Sequence, residues 1–117
     1  MRVIHTRYLP ADFPPHLTAT ITALSEDVPV EGNASAWDDG TDEAYWAELR
    51  DRLDAGDRWA WCIVRITVTD GDTEGYAYLG GCSYDSVDDF LAHSGYTADL
   101  IAEALDAFHA AAPVSAH

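Results

Sequence analysis

The stretch from Arg58 to Tyr84, which reads RWAWCIVRITVT–DGDTEG–YAYLGGCSY, decides the fold. Its first part, Arg58 to Thr69, alternates in the two-residue period of a β-strand. One face of this strand carries Cys62, Val64, Ile66 and Val68, and the other begins with Trp59, Trp61 and Ile63. Because both faces are apolar at its start, we predict a central strand that is covered on both sides there.

The residues after this strand predict a hairpin. Asp70 to Gly75 is rich in turn formers, and Tyr76 to Tyr84 returns as the partner strand. The pair Gly80-Gly81 inside the second strand indicates a bulge or the close approach of another element.

The chain before the hairpin predicts further strands and a loop. Arg2 to Leu9 is expected to be a strand that ends at Pro10. Residues 16–24 fit both periods, and their threonines and strict alternation slightly favour a strand over a helix. Residues 29–40 are rich in turn formers and predict a loop.

Three helices are predicted. The first runs from about Asp42 to Ala55, with Thr41 as N-cap and Gly56 at the C′ position. Ser86-Val-Asp-Asp89 resembles a capping box and opens a short helix through Ala92. Thr97 is expected to cap a last helix over 98–111. Two apolar stripes follow from the helical period: Tyr45, Trp46, Leu49 and Leu53 on the first helix, and Leu100, Ile101, Ala104, Leu105 and Phe108 on the last.

These elements predict one α+β domain over residues 1–117, a small, mainly antiparallel sheet with two main helices packed on it. The N-terminal residues lack the apolar run of a signal peptide, and no segment is long and apolar enough for a membrane helix. Two cysteines do not make a disulfide framework. We therefore expect a cytoplasmic protein with reduced thiols.

The net charge limits the kinds of partner that we expect the protein to bind. The chain has 21 Asp and Glu, six Arg and no Lys, a formal net charge of −15, yet 48% of its residues are hydrophobic. This apolar content predicts a folded domain coated with carboxylates, whereas acidic disordered chains lack it. Direct binding to nucleic acid or to an anionic membrane is disfavoured, because both need basic residues. A basic protein surface is the natural counterpart.

Three groups of carboxylates, with one exposed loop tryptophan, are the candidate partner-binding residues. If they are spaced like phosphates, they would occupy the basic groove of a nucleic-acid-binding complex as a DNA mimic does. The alternative is a solvated surface that serves solubility only. The candidates are Trp37, Asp38, Asp39, Asp42 and Glu43 around the first helix, Asp70, Asp72 and Glu74 in the hairpin turn, and Asp85, Asp88 and Asp89 before the short helix.

The sequence patterns that indicate catalysis or a bound cofactor are weaker than those that indicate an acidic binding surface. Asp70 to Glu74 has oxygen ligands at alternate positions but lacks the length and terminal Glu of a calcium loop. Cys82 is a candidate nucleophile, with His93 or His109 as its base. A cysteine in a strand is more often a buried core residue, and this alternative is favoured if the hairpin places Cys82 near Cys62. We predict no catalytic residues, no metal and no cofactor, and hence no enzyme.

Several blocks in this order resemble a group of small acidic proteins of tailed phages and prophages. The most specific are the Trp-Ala-Trp strand (59–61) and Leu-Gly-Gly-Cys-Ser-Tyr (79–84). The similarity covers about residues 28–108, and Thr97 departs from it where a second aromatic residue is expected. The resemblance implies a phage setting, and together with the net charge it predicts an inhibitor of a host defence complex such as a CRISPR effector. The alternatives are an immunity protein or antitoxin that neutralises a basic nuclease, and a small enzyme that uses Cys82.

Overall fold

The computed structural model describes residues 1–34 and 42–111. It contains one four-stranded sheet in the order β1-β2-β3-β4, in which every neighbouring pair is antiparallel, together with three α-helices. The predicted α+β class is confirmed. The strands are β1 (Arg2–Val3), β2 (Thr18–Ser25), β3 (Cys62–Thr69) and β4 (Glu74–Cys82), and the helices are α1 (Asp42–Asp54), α2 (Val87–His93) and α3 (Thr97–Ala111).

The strand β3 lies in the interior of the sheet, as the sequence predicts. It pairs with β2 along its full length, from Thr18 opposite Thr69 to Ser25 opposite Cys62. The strand favoured for residues 16–24 is thereby confirmed. The four alternating residues of the predicted inner face are all fully buried: Cys62, Val64, Ile66 and Val68. Since successive strand residues point to opposite faces, this alternation fixes which face of the sheet carries the core.

A β-bulge interrupts the β3–β4 ladder where the sequence predicts it. Cys62 lies opposite Cys82, whereas Val64 lies opposite Leu79, so that β4 has one more residue than β3 in this interval. Gly81 has a φ of +65°, a left-handed conformation that glycine adopts without a steric penalty. The bulge brings Cys82 back to the inner face, where it is buried.

The predicted strand over Arg2 to Leu9 is wrong beyond Val3. A 3₁₀ turn covers Thr6–Tyr8, and the side chain of His5 accepts a hydrogen bond from the Arg7 amide at 3.0 Å. This local bond gives the backbone an alternative to the sheet ladder. Only Arg2–Val3, followed by a bond from the Ile4 amide to Ala19, pair with β2.

The predicted start of the central strand is also wrong. Residues Arg58–Ala60 form a 3₁₀ turn, because the Asp57 carboxylate accepts a hydrogen bond from the Trp59 amide at 3.1 Å. The two tryptophans therefore do not share one face of a strand. Trp59 lies against Phe90 in the main core, with a ring separation of 5.8 Å, while Trp61 belongs to a second, smaller cluster.

The second cluster connects α1 to the end of the sheet. Leu49 of α1 is buried in it beside Trp61 and Val30, with Tyr45, Trp46 and Leu53 packed around them. The helix ends at Asp54, one residue before the predicted Ala55, and Gly56 follows at the predicted C′ position with a φ of +92°. The amides of Gly56 and Asp57 donate to the carbonyls of Leu53 and Arg52, the paired bonds of a Schellman motif.

The helix α3 lies on the inner face of β3 and β4. Its predicted stripe is buried, except for Leu105, which is half-buried. Gly75 of β4 is directly beneath it, because a Cβ at this position would fall on backbone atoms of Phe108 and Ala104. This close approach lets the helix backbone pack directly on the sheet.

The caps of α2 and α3 differ. Ser86 caps α2 as predicted, since its hydroxyl accepts a hydrogen bond from the Asp89 amide at 3.1 Å. The predicted cap at Thr97 is wrong, because Thr97 is already the first residue of α3 and is buried. Its hydroxyl instead donates to the Leu91 carbonyl at 3.0 Å and thereby joins the end of α2 to the start of α3.

We predict that Gly75→Ala destabilises the protein by about 3 kcal/mol, because backbone atoms of α3 have to move to admit the methyl group. Urea unfolding followed by tryptophan fluorescence measures this change. The matched control is Gly80→Ala in the same strand, where the new Cβ would lie 3.2 Å from a side-chain oxygen of Glu26 and would meet no backbone atom within 4 Å. If the two variants unfold at the same urea concentration, the close approach of α3 does not constrain the fold.

Candidate functional site: the carboxylate surface

The predicted acidic groups lie at opposite ends of the sheet. The turn with Asp70 and Asp72 closes the β3–β4 hairpin at one end. Residues after Cys82, including Asp85, leave β4 at the other, which we call the bulge end. The start of α1 is also at the bulge end, because the Tyr45 hydroxyl donates to Ser83 at 3.2 Å. Strands of eight or nine residues hold the two ends roughly 25 Å apart, so the groups do not form one continuous array.

Two carboxylates at the hairpin turn already accept hydrogen bonds from groups within the hairpin. Asp70 accepts hydrogen bonds from the amides of Thr73 at 2.8 Å and Asp72 at 2.9 Å, which lower the pKa of its carboxyl group. Glu74 accepts a bond from the Tyr76 hydroxyl at 2.8 Å. Asp72 is exposed. Across residues 1–34 and 42–111, no group of three or more His, Cys, Asp or Glu side chains is placed to hold a metal ion.

The carboxylates around α2 also have local partners. Asp88 forms an ion pair with Arg2 at 2.7 Å. One oxygen of Asp89 lies 3.1 Å from the His93 ring, and the other accepts a hydrogen bond from the Asp85 amide at 3.1 Å. These bonds connect α2 to β1 and to the turn before it, so that a part of this predicted binding group has a structural role.

The remaining predicted residues surround the start of α1. Trp37, Asp38 and Asp39 lie outside the described residues. Asp42 and Glu43 are exposed in the first turn of α1, where negative charge is favourable for the helix dipole.

The structure shows two rows of carboxylates that the sequence reasoning missed. Asp99, Glu103 and Asp106, which we call the α3 stripe, are all exposed on the side of α3 away from the sheet. Glu48, Asp51 and Asp54, the α1 stripe, are likewise exposed. The sequence does contain a pattern that indicates these rows: acidic residues stand three and four positions apart on the polar faces of the predicted helices. Reasoning from clusters of sequence neighbours overlooks this spacing.

The surroundings of the two stripes differ. The helix α1 contains Arg50 and Arg52. The hydrogen bond to Glu31 is the main cause that raises the pKa of the Arg50 guanidinium, and the nearby charge of Asp54 raises it further. The helix α3 contains no arginine, and the exposed Ala98 and Ala102 are sequence neighbours of its carboxylates Asp99 and Glu103. None of the three α3 carboxylates forms an ion pair with any residue that the structure describes. The α3 stripe is therefore the less neutralised of the two.

A first cleft of about 470 Å³ lies between α1 and the segment after β2. Arg50 on its wall makes a two-pronged bond to Glu31, at 2.8 and 2.9 Å, and this pair lowers the pKa of Glu31 to about 2. Arg58, on the same cleft, donates to the Ser25 hydroxyl. Because Glu26 and Asp27 also line the cleft, its charge is balanced, and it does not define an anion site.

A second cleft of about 290 Å³ lies at the bulge and is lined by Cys82, Ser83 and several aromatic residues. The Cys82 thiol donates to the Leu79 carbonyl at 3.3 Å, and burial raises its pKa to about 11. The imidazoles predicted as its base have other contacts, since His93 meets Asp89 and His109 lies against Phe108. A protonated thiol without an adjacent base is a weak nucleophile.

The sheet face opposite the core carries a few exposed aromatic residues. Tyr76 and Tyr78 of β4 lie side by side with ring centroids 6.2 Å apart, and the Arg65 guanidinium lies 5.4 Å from the Tyr76 ring centre. The Arg65 Nε is buried and has no hydrogen-bond partner among the described residues. Tyrosine and arginine are frequent in protein interfaces, but these residue types alone do not identify a binding partner for this face.

Comparison with known protein families, with curated proteins and with solved structures gives no match for this chain. No helix in the described part of the chain is long and apolar enough to cross a membrane.

We predict that the Glu31 side chain titrates near pH 2 in the native protein, because the Arg50 guanidinium stabilises its ionised form. A lowered carboxyl pKa means that the pair stabilises the fold above about pH 4.5 and that this contribution is lost as the pH falls toward 2. Side-chain carboxyl NMR measures the titration. Arg50→Gln should return the Glu31 pKa toward 4.5, whereas Arg58→Gln in the same cleft should leave it unchanged. Equal shifts in both variants would contradict this assignment.

Proposed function

We propose that this protein is a non-enzymatic acidic inhibitor that binds a basic, nucleic-acid-binding surface of a partner protein and excludes nucleic acid from it. The resemblance to small phage proteins suggests that the partner belongs to a host defence complex, such as a CRISPR effector. The observation that carries the proposal is the α3 stripe, an exposed row of carboxylates without ion-pair partners.

The distribution of charge over the whole molecule supports this proposal. None of the described carboxylates is buried. Arginine ion pairs neutralise three of them: Asp88, Glu31 and Asp57. The surface therefore keeps a strong negative field, which accelerates association with a basic partner and weakens as salt is added.

The geometry of the α3 stripe fits a groove that holds nucleic acid. Residues 99 to 106 span about 10 Å along the helix axis, and the stripe places three charges on this length. A single DNA strand carries about three charges over the same distance. The neighbouring Ala98 and Ala102 are small, so the carboxylates project beyond the helix surface and are accessible to lysine and arginine side chains.

The mechanism is occupancy of the site. Each carboxylate replaces a phosphate as the counterion of a basic residue, and the body of α3 fills the space that the nucleic acid backbone would take. Such an inhibitor needs no cofactor and breaks no covalent bond. Its inhibition is competitive with nucleic acid and is relieved at high ionic strength.

The partner is found by capture from a bacterial lysate at low salt, salt-gradient elution and mass spectrometry. We expect a stoichiometric nucleic-acid-binding protein that elutes at moderate salt and is displaced by duplex DNA. If the captured protein is a nuclease toxin whose gene lies beside the gene of this protein, the immunity-protein alternative is supported instead. A mixture of abundant basic proteins that DNA does not displace would contradict the proposal.

We predict that neutralising the α3 stripe (Asp99→Asn, Glu103→Gln, Asp106→Asn) weakens partner binding about tenfold, as three exposed ion pairs at roughly 0.5 kcal/mol each would give. The matched control neutralises the α1 stripe (Glu48→Gln, Asp51→Asn, Asp54→Asn), which changes the net charge by the same amount. Titration calorimetry measures both affinities. An equal loss in the two variants would mean that only net charge matters, and this result overturns the role of the α3 stripe.

A further inference from the structure

We propose that Cys62 and Cys82 form an oxidation site, in which a peroxide converts the two free thiols into an intrachain disulfide across the β3–β4 ladder. This inference is independent of the proposed function. It rests on the register of the hairpin and on the second cleft.

The register places the two cysteines directly opposite each other. Cys62 and Cys82 are Cα partners in an antiparallel pair, both are free thiols, and both are buried in the same core cluster. Directly opposed residues in such a pair have Cα atoms about 4.5 to 5.5 Å apart. Disulfides require about 4.4 to 6.8 Å. A directly opposed pair thus falls within the range of separations that a disulfide needs, and both cysteines belong to the core on the same face of the hairpin.

The second cleft gives one of the two thiols access to small oxidants. Cys82 lines this cleft and is 4% exposed, whereas Cys62 is 0% exposed. The order of reaction follows from this difference. The Cys82 thiol reacts with hydrogen peroxide to give a sulfenic acid and one water, and the Cys62 thiol then attacks the Cys82 sulfur and releases a second water. The two thiols together lose two protons and two electrons, and the peroxide takes them up and is reduced to two waters.

The surroundings of the pair make this reaction slow at neutral pH. Burial raises the pKa of Cys62 to about 12 and that of Cys82 to about 11, while the amide of Val64 acts on Cys82 in the opposite direction. The charged groups that act on the two thiols are Glu26, Asp57 and Arg58, and the two carboxylates disfavour the thiolate. The thiols are therefore stable as a reduced pair until an oxidant enters the cleft.

The disulfide would change the part of the molecule that lines the second cleft. It would close a ring from residue 62 to residue 82 and fix the bulge at Gly81. Because a closed loop of this length restricts the unfolded chain, the oxidised protein should melt about 10 to 15 °C higher than the reduced protein.

The test treats the folded, reduced protein with hydrogen peroxide, alkylates the remaining thiols, and maps the non-reduced peptides by mass spectrometry. We expect a monomer in which both cysteines resist alkylation, the mass has fallen by two hydrogens, and one cross-linked peptide contains residues 62 and 82. Disulfide-linked dimers, or sulfinic acid at both positions without a cross-link, would overturn the proposal.

Two single variants test the order of reaction. In Cys62→Ala, Cys82 should stop at the sulfenic acid and be trapped by dimedone, because no second thiol can resolve it. In Cys82→Ala, Cys62 should remain reduced over the same time. Labelling of Cys62 at the same rate as Cys82 would show that the cleft does not select the reactive thiol.

The pH dependence tests whether oxidation takes place in the folded protein, and it needs no variant. Reaction in the native state should accelerate about tenfold per pH unit and still be rising above pH 9.5, because the thiolate fraction of Cys82 follows a pKa of about 11. Reaction through unfolded chains should level off near pH 8.5, the ordinary range of a cysteine. A rate that levels off there overturns the native-state site.

Discussion

Burial of the inner face of β3 is the interaction on which the rest of the structure depends. Its four inward side chains are completely excluded from solvent. At roughly 1.5 to 3 kcal/mol for each large aliphatic residue, Val64, Ile66 and Val68 together match the net stability of a typical domain. The neighbouring strands and α3 pack around this face. The helix reaches it because Gly75 leaves the sheet without a side chain at the point of closest approach.

Much of this arrangement could be predicted from the sequence, because the two-residue period of β3 is strong and long. The errors fall at the ends of elements. At Asp57, His5 and Thr97, a side chain bonds to nearby main-chain atoms and thereby changes where a strand or helix begins. Such local bonds compete with the backbone hydrogen bonds of a regular strand or helix. Residue periodicity alone does not reveal them, since the same residue types are also compatible with a regular strand or cap.

The position of Gly75 shows a second limit of sequence reasoning. A glycine after Asp-Gly-Asp-Thr-Glu is an ordinary turn residue by its neighbours, yet it lies in β4 beneath α3. Its role depends on a helix about thirty residues later in the chain. The glycines of the bulge are easier to recognise from the sequence, because two successive glycines inside a strand are unusual and indicate an irregular ladder.

The carboxylates also show that neighbours in sequence and neighbours in space have different roles. Within the carboxylate groups that cluster in sequence, Asp70 of the hairpin turn and Asp89 of α2 accept hydrogen bonds from nearby backbone amides. Carboxylates three or four positions apart on α3 keep their charge free, because the buried side of the helix determines that the other side faces solvent. The apolar stripe of α3 therefore fixes the orientation of its acidic stripe. The proposed binding of a basic partner to this row of charges therefore depends on the core around β3, because one helix carries both the buried stripe and the acidic stripe.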